Sequence, residues 1–251
     1  MRYKITHLTR YTYEGPVSHC ISETRLMPRE LTSQSVERFE MEIRPKPASA
    51  NRRSDYFGNP VSSFTVLEPH DRLTVITRSV VDLRPEPILL ERVATWEEAR
   101  GMLAAPQSGE ALAASEFRWE SPFVPWLESL IEFGRPVFTP GRPVREAAIA
   151  LMQRIHRDFQ YAPKSTSIET PLEEVMTARR GVCQDFAHVM IGTLRAWGLA
   201  ARYVSGYLRS DQELQGAQAS HAWVSVYAPG AGWIDLDPTN NILPSGGHIT
   251  L

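Results

Sequence analysis

The sequence predicts an α+β protein: an amino-terminal antiparallel β-sandwich, then a core in which a cysteine-bearing helix packs on an antiparallel sheet. Three observations carry this. Period-two alternation recurs through the first third of the 251-residue chain. A helical apolar stripe follows Cys183. Two sharply alternating segments, His221–Tyr227 and Trp233–Asp237, flank turn material at 228–232.

The first segment sets the pattern. Tyr3, Ile5, His7, Thr9, Tyr11 and Tyr13 fall on one face, opposite Lys4, Thr6 and Thr12. Such alternation, rich in aromatic and β-branched residues, is that of a strand. Gly15-Pro16 is expected to end it. Further strands are expected at 18–27, 35–44, 60–68 and 73–83, separated by turn-rich runs such as Arg44-Pro45-Lys46-Pro47 and Phe57-Gly58-Asn59-Pro60. His7, His19 and His70 lack metal-ligand spacing and are expected on the surface or on strand faces. The prolines of Arg84-Pro85-Glu86-Pro87 mark a boundary. The expected organisation is therefore residues 1–85 as a β-rich domain, 86–140 as a linker and partly helical connection, and 141–251 as the core. Within the connection, 128–133 reads as helical. The turn Ser121–Trp126 carries Phe123 and Trp126, expected to pack on the core, with covering a groove as the alternative.

In the core, Val144, Ala147, Ala148, Leu151, Ile155 and Phe159 form a helical stripe behind Pro143. Thr170-Pro171 followed by Glu173 and Glu174 reads as the start of another helix, with Thr170 as its cap. Then Phe186, Val189, Met190, Thr193, Leu194 and Trp197 recur at helical spacing, and Gly198 sits where a terminating glycine belongs. Residues 201–208 read as a strand. Cys183 thus falls in the first turn of a long buried helix, where unpaired N–H groups and the helix dipole favour a thiolate.

A nucleophilic thiolate needs a basic partner, and that partner an orienting group. Asp185 points about 200° from Cys183 around the helix and His188 about 140°, so neither shares its face. The hairpin supplies the alternative. If Tyr227 pairs with Trp233, Asp237 faces Trp223 and is the diagonal neighbour of His221. A register shifted by two residues puts Asp237 directly opposite His221. Both keep the two backbones within about 8 Å, with the side chains on one face. Asp235 lies one pleat further away and is the weaker candidate. Singly, each residue has an ordinary reading: a small buried hydrophobe, a structural histidine, a turn aspartate. The combination points to nucleophilic catalysis.

Composition bounds the alternatives. Formal net charge is −2, 42% of residues are hydrophobic and 22% charged. This excludes a global basic field for nucleic acid. No apolar run approaches the roughly 20 residues that span a bilayer, and the first residues do not read as a signal peptide. Two cysteines make no disulfide framework, so reduced thiols and a cytoplasmic location are expected. A metal at Cys183 with His188 or His221 is disfavoured, because no second cysteine pairs locally. Neither cofactor nor metal is expected, and oligomeric state is open.

The stretches Gly181-Val-Cys-Gln-Asp-Phe-Ala-His188, Ala201-Arg-Tyr-Val-Ser-Gly-Tyr207, Ser220-His-Ala-Trp223 and Gly232-Trp with Asp237-Pro-Thr-Asn240 resemble bacterial transglutaminase-like proteins of the papain-like superfamily. His7, Thr9, Tyr11, Tyr13, Pro28-Arg29, Asp55 and Phe57-Gly58-Asn59 resemble the β-rich amino-terminal region of that family. The resemblance implies a papain-like core and a Cys183–His221–Asp237 triad. It implies acyl transfer or hydrolysis at an amide of a peptide or protein through a thioester. The alternatives are a cysteine peptidase and a non-catalytic binding or scaffold protein on the same fold. The Cys183 N–H would hold the oxyanion, with Tyr161 as the candidate second donor. No loop resembles a calcium site of animal relatives. Relatives continue further past the motif, so a closing segment beyond Leu251 is expected to be missing.

Overall fold

In a computed structural model, residues 1–84, 94–209, 214–216 and 220–251 are described. The chain forms two compact units, Met1–Glu86 with Gly246–Leu251, and Pro87–Ser245. The boundary expected at Arg84–Pro87 lies, from Pro85 onward, outside the described residues. Among the described residues, no helix is long and apolar enough to cross a membrane.

The first unit holds β1 (Arg2–Val17), β2 (Cys20–Thr24), β3 (Gln34–Arg44), β4 (Ser49–Ser54), β5 (Pro60–Val66) and β6 (His70–Leu83). They form two antiparallel sheets of order β1-β6-β3 and β2-β5-β4. Phe64 and Val66 of β5 meet Leu73 and Val75 of β6 in one buried cluster, so the two sheets share a core. Two expectations change here. Strand β1 does not stop at Gly15-Pro16 but runs to Val17, with its register broken between Thr12 and Val17. It is an edge strand, where a proline without an N–H is tolerated and an irregularity can be absorbed. Strand β4 lies where no strand is expected: its sequence SANRRS is exposed throughout and pairs along an edge, so it shows no alternation. The three histidines lie as expected: His7 and His70 are on strands, with His70 buried at the start of β6, and His19 is exposed.

The second unit opens with α1 (Trp96–Ala104), α2 (Gly109–Ser115) and α3 (Glu128–Gly134). Helix α1 carries a reciprocal cap: the Glu98 N–H donates to Thr95 Oγ1 at 3.2 Å, and the Thr95 N–H donates to Glu98 Oε2 at 2.8 Å. Helix α4 (Val144–Asp158) buries its expected stripe, and Phe159 follows it. The two-residue strands β7 (Gln160–Tyr161) and β8 (Arg180–Gly181) pair in parallel around α5 (Leu172–Ala178). Thr170 does not cap α5. Pro171 is extended at the cap position, and Thr170 Oγ1 instead accepts from the Ser167 N–H at 2.9 Å.

Helix α6 (Cys183–Ala196) is the centre of this unit. Besides its expected stripe it buries Ala187, Ile191 and Gly192, because α3, α4 and α5 surround it along with the sheet. Gly192 is needed there: a Cβ would stand 2.8 Å from Leu130 Cδ1 of α3. The sheet is formed by β9 (Ala201–Leu208), β10 (Ser220–Ala228) and β11 (Gly232–Leu236), with β10 central among them. The remaining strand, β12 (His248–Thr250), falls in the first unit, where the Thr250 N–H donates to Gln34 Oε1 at 2.8 Å. Ala222, Val224 and Val226 of β10 join the large core. The opposite face is buried too, as Tyr227 packs with Leu103, Ala114 and Ala200. A strand covered on both sides is central rather than half-solvated.

Candidate active site

Cys183 is the first residue of α6 and is half-buried. The entry to the helix is locked by Asp185. Its Oδ2 accepts from the Val182 N–H at 2.8 Å and from Thr166 Oγ1 at 2.6 Å. Gly181 leaves room for that carboxylate, since a Cβ would stand 2.5 Å from Oδ2. Asp185 is therefore a cap, consistent with its direction away from the cysteine. Strand β8 pairs Gly181 with Tyr161, which packs edge-on to Phe186. Burial and the Cys183 charge push the Tyr161 phenol up, so it keeps its proton near the thiol.

His221 lies near the start of β10, and Asp237 directly follows β11. Tyr227 pairs with Trp233 and Val224 with Leu236, the register that makes Asp237 the diagonal neighbour of His221. His221 Nε2 donates to Asp237 Oδ2 at 2.9 Å, with both side chains 0% exposed. The carboxylate takes three further bonds. Oδ1 accepts from the N–H groups of Thr239 (3.0 Å) and Asn240 (3.2 Å), and Oδ2 from Asn240 Nδ2 (2.9 Å). Burial pulls the His221 imidazole down. Its hydrogen bonds with Asp237 and with the Cys183 thiol, together with their charges, outweigh this and push it up to about 9. The ring therefore carries its proton at neutral pH.

The other candidates fall elsewhere. Asp235 Oδ2 accepts from Trp223 Nε1 at 3.3 Å, a structural contact on the same sheet face. His188 lies between Phe123, stacked with ring centroids 5.9 Å apart, and Tyr203 at 5.4 Å. Burial holds its imidazole below the usual value. Only part of the Ser121–Trp126 turn packs as expected: Val124 is buried, whereas Phe123 and Trp126 are 53% and 55% exposed. Asn240 and Thr166 have no assigned role in the sequence. Asn240 stands within the Asp-Pro-Thr-Asn motif, but nothing periodic marks it, and Thr166 is 19 residues from its partner.

The comparisons agree with this architecture. Residues 3–82 match the bacterial transglutaminase-like N-terminal region, and residues 132–238 match the transglutaminase-like superfamily. An uncharacterized protein of Mycobacterium tuberculosis is 38% identical over 263 residues, spanning 100% of this chain and 82% of its own. A protein-glutamine gamma-glutamyltransferase of Pseudomonas aeruginosa is 34% identical over 104 residues, 38% of this chain and 16% of that enzyme. The crystal structure of a candidate cysteine protease from Cytophaga hutchinsonii superposes with a TM-score of 0.77 at 21% identity, covering 100% of this chain and 80% of that one. It shares the fold. With both family regions matched in order and relatives similar over its whole length, the chain belongs to the transglutaminase-like superfamily, in its bacterial branch with the β-rich amino-terminal region.

Proposed function

We propose that this protein is a cysteine-dependent acyltransferase acting on amides of peptides or proteins, with Cys183 as nucleophile, His221 as general acid–base and Asp237 as the orienting carboxylate. One observation carries the reading: a fully buried His221–Asp237 pair at 2.9 Å whose imidazole is raised by Asp237 and by the neighbouring Cys183 thiol at the start of α6. Cys183 Sγ attacks the amide carbonyl, and the Cys183 N–H faces the developing oxyanion. The C–N bond breaks as His221 gives its proton to the departing nitrogen. An amine or water then attacks the thioester and gives its proton to His221 as the C–S bond breaks, which restores the Cys183 thiolate and the protonated imidazole. Asp237 keeps one imidazole nitrogen occupied, so the other serves the reaction. Similarity to the Pseudomonas enzyme favours protein glutamine side chains as acyl donors. We place the reaction in the cytoplasm, where both Cys20 and Cys183 stay free thiols.

Incubation with a peptide library and a primary amine, read by mass spectrometry, tests this. Amine incorporation with ammonia release is expected, and new peptide termini would identify hydrolysis instead. Identical products from Cys183→Ala overturn the mechanism.

A further inference from the structure

Asp237 and His221 account for only part of the hydrogen bonding around them. The Asn240 carboxamide reaches in two directions. Its Nδ2 donates to Asp237 Oδ2 at 2.9 Å, the same oxygen that holds His221 Nε2. Its Oδ1 accepts from the Gln215 N–H at 2.9 Å, while Nδ2 also approaches the Gln215 carbonyl at 3.3 Å. The next residue, Gly216, has φ +86, and a Cβ on it would stand 2.7 Å from His221 Nδ1. Only glycine combines that backbone angle with so close an approach. One side chain thus ties the acid on one edge of the imidazole to the backbone lying against the other edge.

We propose that Asn240 is a positioning residue: its carboxamide fixes the Asp237 carboxylate and seats the Gln215–Gly216 backbone against His221, so that the imidazole is held on both edges. This rests on the reading of Cys183, His221 and Asp237 as one unit and adds how its ring is kept from rotating. A ring gripped only at Nε2 could still swing about that bond and carry Nδ1 away from the thiol. The glycine backbone removes that freedom, and Asn240 keeps the backbone there.

Carbamidomethylation of Cys183 by iodoacetamide tests the proposal without a known substrate. Cys20, a free thiol of the first unit, is the internal reference. Each rate is compared with wild type at the same pH. Asn240→Ala is expected to slow Cys183 about tenfold from pH 5 to 8, with Cys20 unchanged, because the thiol loses its aligned partner. Gly216→Ala should slow Cys183 similarly, and the double variant no further, since both act through one contact. Asn240→Asp supplies the signature that loss of packing would not give. At pH 8 two adjacent carboxylates repel and the variant should match Asn240→Ala. Near pH 5 they share a proton, the introduced carboxyl can again donate to Asp237, and the rate should return to within about twofold of wild type. Asn240 variants with wild-type Cys183 rates, or an Asn240→Asp deficit that is flat with pH, overturn the positioning role. A wild-type Cys183 that reacts no faster than Cys20 would instead overturn the nucleophile reading beneath it.

Discussion

The two units each contain an aspartate held by an asparagine a few residues later, and they use it differently. In the first unit, Asp55 Oδ1 accepts from the N–H groups of Phe57 (3.0 Å) and Asn59 (2.9 Å), and Asn59 Nδ2 donates to Oδ2 at 3.0 Å. In the second, Asp237 accepts from the N–H groups of Thr239 and Asn240 and from Asn240 Nδ2. The cradles match almost bond for bond. What closes them does not. Asp55 is completed at the surface by Arg25 Nε at 3.4 Å, and Arg29 Nη1 braces Asn59 Oδ1 at 3.1 Å. Asp237 is completed in full burial by an imidazole. A guanidinium keeps its proton at every working pH, so the first cradle is a turn lock. An imidazole can release its proton, so the second cradle can take part in proton transfer. The fourth bond and the burial decide the role.

Asp237→Asn against Asp55→Asn is the strongest test of that contrast. We expect Asp237→Asn to lower acyl transfer by about 10³-fold or more with the fold retained, because the imidazole loses the partner that fixes its tautomer. Asp55→Asn should leave turnover unchanged and cost roughly 1–3 kcal/mol in a denaturant titration, the loss of an ionic acceptor for several donors. Equal effects of both on activity would break the distinction.

Next in size is Gly181→Ala. A Cβ there meets Asp185 Oδ2 at 2.5 Å and forces the cap away from α6. A loss of about 2–3 kcal/mol in chemical unfolding is expected, by overpacking combined with loss of the cap. Wild-type stability in Gly181→Ala would show that Asp185 is dispensable to the helix start.

The imidazole cradle should also show in pH dependence. The folded-state value of His221 is raised, so the native state binds the proton more tightly than the unfolded chain. Its contribution to stability is complete below about 6.5 and disappears as pH rises through about 9. Melting temperature should fall over that window in the wild type, and His221→Gln should flatten the fall. Asp55→Asn should leave this slope intact. The smallest effect is expected for Thr95→Ala, about 1 kcal/mol in thermal unfolding, from the lost cap of α1.

Much of the second unit is legible in the sequence because its signals are local. The stripe from Phe186 to Leu194 locates α6, and alternation in 221–227 and 233–237 sets the hairpin that brings His221 to Asp237. Helix geometry turns Asp185 and His188 away from Cys183. What stays hidden depends on distant chain. Burial of the Tyr227 face of β10 comes from α1 and α2, about a hundred residues earlier. The cap of α1 is visible as Thr95-x-x-Glu98, but the short helix behind it has a weak stripe. Strand β4 is an exposed polar edge, where neither period nor apolarity marks a strand. Asn240 and Gly216 act across sequence gaps that no periodicity spans.

Burial of β10 on both faces has a consequence for how the site can change over time. A one-residue slip of a half-solvated strand exchanges a wet face for a dry one, and part of the molecule survives. In β10 a slip would drive His221 and Trp223 into the space of Ala222 and Val224, with no solvent-facing side to receive the error. Insertions in the Ala228–Gly232 turn should therefore be selected against as strictly as loss of the histidine itself. Variation in specificity is then expected at the exposed residues around this hairpin.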